Sequence, residues 1–380
     1  MAPGLPDATS TQDRRDATDQ HAQLLLTIEQ AAVRAATLRL VIVLAQLQRE
    51  ATGRLLMART AQAKADAGRR LAEQLEVDAL PLLSSPELLP PILAQAQRAM
   101  NATAVFTLGP GNPFIPVTPS PPASALELPS PLAERGPVFT LGPGNPTVPV
   151  LTPGPVAEAA VRSAAASARE KIERAAKLLE RADTPNAAAT AFTVAAQAVA
   201  SVATGAEFAV NYGGNHASVR IAQATGQNLV WVAERDACVV CLALSGDVID
   251  PMQGESFDEF ATFGTSTPPS VWPPGMPLIG PPRHPHCRCF VQVWRGSVMP
   301  GFLSWPERLK HEALRSIARG WSLPSESKQA RLRAAEKILR DGRAAQLPKS
   351  VQAYAQRAVG RGRFETHAVP TYPPVRTNVR

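Results

Sequence analysis

Aromatic residues are scarce in this chain, at 5 % of 380 residues, and alanine fills much of the apolar quota. Strands draw on aromatic and β-branched side chains, so the composition argues against an all-β fold and favours helices. Long uncharged apolar runs are also missing. The most hydrophobic stretch is broken by Glu29, Arg34 and Arg39, which leaves no membrane span to expect. The opening residues, MAPGLPDATSTQDRRD, lack the charged-then-apolar pattern of an export signal. Cysteine is rarer still, with four residues all between positions 238 and 289. Without export these thiols meet a reducing cytoplasm, which disfavours structural disulfides.

What is present bounds the architecture. The length suits two ordinary domains, and 45 % hydrophobic content with 19 % charge lies in the globular range. The 37 prolines are about twice the usual share, so part of the chain must be linker or irregular loop. The net charge of +7 is unevenly placed. Residues 301–380 hold 16 Lys+Arg against 6 Asp+Glu, a local +10 that leaves −3 for the remainder. Such a tail suits a polyanion such as nucleic acid, or an acidic protein face, and equally a solvated helical surface.

Apolar residues recur at helical spacing from His21 to Leu75, with Leu24, Ile28, Ala31, Ala35, Leu38 and Ile42 forming the expected stripe and Gly53 and Gly68 the interruptions. Residues 105–155 contain fourteen prolines and two copies of VFTLGPGNP, at Val105–Pro113 and Val138–Pro146, so this stretch reads as an extended linker. Helical pattern returns over Val156–Arg181, with Ile172, Ala175, Ala176 and Leu179 facing inward, and resumes after Thr184-Pro185-Asn186. A glycine-rich loop is expected at Tyr212–Asn215, then a short helix near Ser218–Ala224 and a strand over Asn228–Ala233. A closing strand is expected at Phe290–Trp294. Pro306 suits the first turn of a helix reaching Arg319. Ser325 is placed to cap another, with Leu332, Ala335 and Leu339 inward and Gly342 at its end; the last fifteen residues read as disordered.

The four cysteines form two pairs, Cys238-x2-Cys241 and Cys287-x-Cys289, with His284 and His286 just before the second. A C-x2-C turn presents two thiolates at the separation a tetrahedral Zn²⁺ needs, and a second pair can close the shell. Spacing leaves the ligand set open between four thiolates and three thiolates with His284. It also leaves open free thiols in a core, or an occasional disulfide. Bound zinc would be structural, since a closed shell has no position for catalysis.

The surrounding order carries more information. Trp231-Val232-Ala233-Glu234-Arg235-Asp236 leads into Cys238 and Cys241, followed by Leu244-Ser245-Gly246 and then by PPRHPHCRC at 281–289. This arrangement resembles the phage Mu F-like (MuF) minor capsid, or head morphogenesis, family over about Val156–Trp294. One departure is Ala203-Thr204-Gly205-Ala206-Glu207, where family members commonly carry an Arg-Thr-Glu type segment. The resemblance implies a component of the virion interior, assembled in the host cytoplasm and acting in procapsid assembly and DNA packaging or release. Its implied partners are the portal and the major capsid or scaffold protein. Non-specific double-stranded DNA would be held through residues 301–380.

The expected fold class is α+β and mostly helical. It comprises an N-terminal helical region (1–104), the linker (105–155), a MuF-like domain with a Cys/His-rich loop (156–299) and a basic helical C-terminal region (300–380). Head genes often include a maturation protease, and two arrangements could serve one. They are Ser325-x-x-Lys328 and a pairing of Cys287 with His284 or His286. Glu234, Asp236, Asp247 and Asp250 could instead gather round a divalent ion. Helix capping by Ser325 and solvated loop carboxylates are the ordinary explanations.

Overall fold

The computed structural model describes residues 11–108, 153–257, 278–283, 286–294, 296, 304–322 and 326–365. Among these residues the chain is mostly helical, with one three-stranded antiparallel sheet, as an α+β class requires. Most of the expected linker (109–152), His284, Ser325 and the last fifteen residues lie outside the described residues.

Five helices build the first core: α1 (Thr11–Met57), α2 (Ala61–Ala79), α3 (Ser85–Leu108), α4 (Gly154–Leu179) and α5 (Pro185–Thr225). Helix therefore occupies both ends of the proline-rich stretch, through Leu108 and from Gly154, and the helices on its two sides share one core. On α4 the expected face, Ile172, Ala175, Ala176 and Leu179, is buried. Thr184 caps α5, accepting from the Ala187 backbone N–H, with Pro185 in the first turn. By length and hydropathy α5 would be able to cross a membrane; here it is the central helix, packed against α1, α3 and α4.

Three local expectations are corrected. The break after α1 falls at 58–60, where Thr60 caps α2, and not at Gly53 or Gly68. The buried stripe of α1 is Leu25, Ile28, Ala32, Leu40, Leu44, Leu47, Ala51 and Leu55, while Leu38 and Ile42 are exposed. Apolar residues surround this part of α1, so periodicity alone does not select the face that its neighbours cover. Tyr212–Asn215 is no loop: α5 runs unbroken through Gly213 and Gly214 and includes 218–224. A Cβ on Gly213 would lie 2.8 Å from the Ala96 carbonyl oxygen of α3, and one on Gly214 3.2 Å from the Thr103 hydroxyl. These glycines serve a close helix crossing.

The second core holds β1 (Asn228–Val232), α6 (Val239–Leu244), β2 (Val248–Ile249), β3 (Phe290–Trp294), α7 (Trp305–Arg319), α8 (Lys328–Arg340) and α9 (Lys349–Arg361). The strand order is β2-β1-β3. A reciprocal capping box of Ser304 and Glu307 starts α7, with Pro306 in its first turn. The cap of α8 is Ser327, and its buried face is Arg331, Ala334, Ala335 and Ile338, leaving Leu332 and Leu339 at the margin.

Candidate metal centre

Antiparallel pairing creates the site. β1 and β3 run in opposite directions with Val232 opposite Phe290 and Trp231 opposite Val291, so the exit of one strand adjoins the entry of the other. Residues 233–241 and 286–289 are thereby delivered to one edge of the sheet, although far apart in sequence. Trp231 is fully buried with its ring edge-on to Phe257 at 5.0 Å, which fixes the base of this edge. Gly246 closes the turn behind it at φ 79°, donating its N–H to the Trp231 carbonyl at 2.8 Å. A Cβ there would meet the Pro306 carbonyl oxygen at 2.2 Å, so α7 sits directly against this glycine.

Cys238 is the N-cap of α6 and Cys241 lies one turn into it, fully buried. The Sγ atoms of Cys241, Cys287 and Cys289 all lie within 4.8 Å of one another, and Cys241 and Cys287 are 3.8 Å apart. No pair is disulfide-bonded. Three buried sulfurs at this separation could hold a metal ion. Hydrogen bonding to Cys238, Cys287 and Cys289, and then burial, push the Cys241 thiol well above the usual cysteine range. At Cys289 the contact with Cys241 favours the thiolate, but hydrogen bonding to Cys287 and burial outweigh it and raise that thiol as well. A cluster of this kind holds its protons unless a cation replaces them.

The frame around the sulfurs is polar and specific. Arg288 Nη2 donates to both oxygens of Asp236, at 2.9 and 2.8 Å, joining the two cysteine segments directly. Asn215 accepts from the Val291 N–H at 2.7 Å and donates to the Cys289 carbonyl at 3.3 Å, and Asn211 donates to the same carbonyl. Glu207 pairs with His286 Nδ1 at 2.5 Å, and His286 has a left-handed backbone with φ 61°. From the N-terminal side, Asp19 of α1 pairs with Arg235 at 3.1 Å, and Ser316 of α7 donates to the Arg235 carbonyl.

The structure thus brings together Cys241, Cys287 and Cys289; Cys238 hydrogen-bonds Cys241 but falls outside the group whose sulfurs all lie within 4.8 Å of one another. Of the protease arrangements, Lys328 is the exposed first residue of α8, where a Ser–Lys mechanism wants a lysine desolvated beside its serine. His286 turns to Glu207 and Cys287 to Cys241. The four carboxylates considered for a divalent ion supply no group of three among the described residues: Asp236 binds Arg288, Asp247 binds Lys310 at 2.9 Å, and Asp250 accepts from the Met252 N–H. Among the described residues, the three cysteines are the group placed to share an ion.

Sequence reasoning overlooked Asn211, Asn215, Glu207, Glu326 and Arg331. Two asparagines four residues apart in an alanine-rich helix were the available signal for the first pair. No protein-family model, no curated protein and no solved structure matches this chain.

Proposed function

We propose that this chain is a minor capsid, or head morphogenesis, protein of the MuF-like type, with a zinc-braced joint at its centre. The observation that carries this reading is the ordered string from Trp231 through Asp236, Cys238, Cys241 and Gly246 to PPRHPHCRC. Its described parts on either side of β1 and β3 lie together, where Asp236 and Arg288 tie the two cysteine segments. Zinc suits the donor set. Zn–S bonds of about 2.3 Å in a tetrahedron imply sulfur–sulfur edges of about 3.8 Å, the separation of Cys241 and Cys287. The fourth ligand would be Cys238, which hydrogen-bonds Cys241 and would have to move closer to the other two sulfurs, or His284, which lies outside the described residues. A closed shell of this kind braces; it does not catalyse.

In this reading the protein sits in few copies inside the procapsid near the portal, and its basic helices touch packaged DNA without reading sequence. Arg333, Arg340, Lys349 and Arg357 are exposed there and available to phosphates. Co-expression with the portal, major capsid and scaffold proteins of the same genome tests the assembly role. Procapsids should carry the chain, and those made without it should package DNA poorly; particles that exclude it would contradict the role. DNA retention should weaken with salt and fall when those four residues are changed to Gln. Neutralisation is preferable to deleting 301–380, because α7, α8 and α9 contribute Ile317, Ala335, Ile338 and Val351 to the second core.

A further inference from the structure

The C-terminal helices do more than cover the sheet, because Arg331 of α8 and Glu326 just before it form a buried ion pair against the backbone around Cys238. Arg331 is 1 % exposed. Its Nε donates to Glu326 at 2.9 Å, and its Nη2 donates to the Ala237 carbonyl at 2.6 Å. Glu326 in turn accepts from the Val239 N–H at 2.7 Å. The two residues therefore grip the backbone on both sides of Cys238, one holding a carbonyl and the other the first free amide of α6. Two further facts describe the surroundings of this guanidinium. Arg331 Nη1 is buried without a hydrogen-bond partner, and the charges felt at this guanidinium after Glu326 are those of Cys238 and Asp236.

A buried ion pair is expensive to desolvate and is weak evidence for stability by itself. Here it holds the backbone on both sides of Cys238, in the segment that leads to Cys241. Two thiolates neutralise a divalent ion, and each further one leaves an uncompensated charge in a buried site. A fixed guanidinium offsets that charge, and an N–H directed to a thiolate holds the ligand in place.

We propose that α8 acts as a clamp on the metal centre. Arg331 and Glu326 are positioning residues that hold the Cys238 turn ready for the ion, and metal occupancy is thereby linked to docking of the basic C-terminal helices. The proposal rests on the metal reading above. Linkage makes it reciprocal: metal tightens α8, and an intact clamp tightens metal.

The experiment uses full-length protein, Co²⁺ as the spectroscopic probe and a competing chelator. Wild type should take up Co²⁺ with thiolate charge-transfer absorption. Arg331→Met with Glu326→Gln removes both charges together, so no orphaned carboxylate is left to unfold the chain. The double variant should bind Co²⁺ roughly ten- to a hundredfold more weakly, the usual scale for groups that support metal ligands. Arg331→Lys, which keeps the charge, should restore part of the affinity.

A folded double variant with wild-type affinity and spectrum would overturn the clamp and leave the metal reading standing. Wild type that binds neither Co²⁺ nor Zn²⁺ would remove both. A measurement on wild type alone stands beside the variants, in case the double variant fails to fold. Chelation should speed amide exchange in α8 while leaving α4 unchanged, and equal exchange in α8 with and without metal would also overturn the proposal.

Discussion

Asn215 shows how one side chain on a helix can set a strand and a thiol at once. It accepts from the Val291 N–H in the second residue of β3 and donates to the Cys289 carbonyl. Asn215→Ala leaves a buried amide without an acceptor, which costs about 1–3 kcal/mol; urea unfolding should show that loss. Glu29 supplies a second residue-scale test. Burial first, then Glu207, raise its carboxyl to about 8 from 4.5, with Cys287 and Glu234 adding and Arg288 opposing. The folded chain then holds this proton more tightly than the unfolded chain between those values, so stability is lost as pH rises through the window. His21, buried against Phe106 and lowered to about 3 from 6.5, has the opposite slope below pH 6.5. The clean comparison is therefore above it. Glu29→Gln should melt increasingly higher than wild type from pH 6.5 to pH 8.5, and a constant difference would count against the assignment.

At the scale of elements, the sequence was legible where one strong local signal sufficed. Thr184-Pro185 and Pro306 marked helix starts, and the runs at 228 and 290 marked strands. It was misleading where tertiary packing decided. Gly213-Gly214 reads as a loop, yet it is the surface on which α3 crosses α5. Pro90 and Pro91 lie inside α3, within the region expected to be helical. The glycines can be sorted by experiment. Gly→Ala in a helix interior gains about 0.5–1 kcal/mol, whereas forcing atoms into a packed contact costs about 1–3. Gly53→Ala, with open space around its Cβ, should raise the melting temperature, and Gly213→Ala, against the Ala96 carbonyl, should lower it. Equal effects of one sign at both positions would contradict the close-crossing account. The clamp on α8 was hidden for a related reason: Glu326 and Arg331 read as a solvated face until packing against 237–239 buries them.

Across the whole molecule, two cores meet at the cysteine centre. α5 contributes to both, with Phe192 and Val202 in the helical core and Val219 and Ala222 in the sheet core. α1 reaches the same place through Asp19–Arg235, and α7 and α8 reach it from the C-terminal side. A brace at that junction would stiffen the attachment of the N-terminal bundle and the basic helices to one frame, as the proposed assembly role would require. The convergence of Cys241, Cys287 and Cys289 was legible from their spacing; which elements they join was not, because that depends on contacts between residues far apart in the chain. The measurement that tests the account most directly is elemental analysis of purified full-length protein, paired with thermal unfolding before and after chelation. The account predicts close to one zinc per chain, lost in Cys241→Ser together with several degrees of melting temperature. Metal-free protein whose stability is indifferent to both chelation and Cys241→Ser would contradict it.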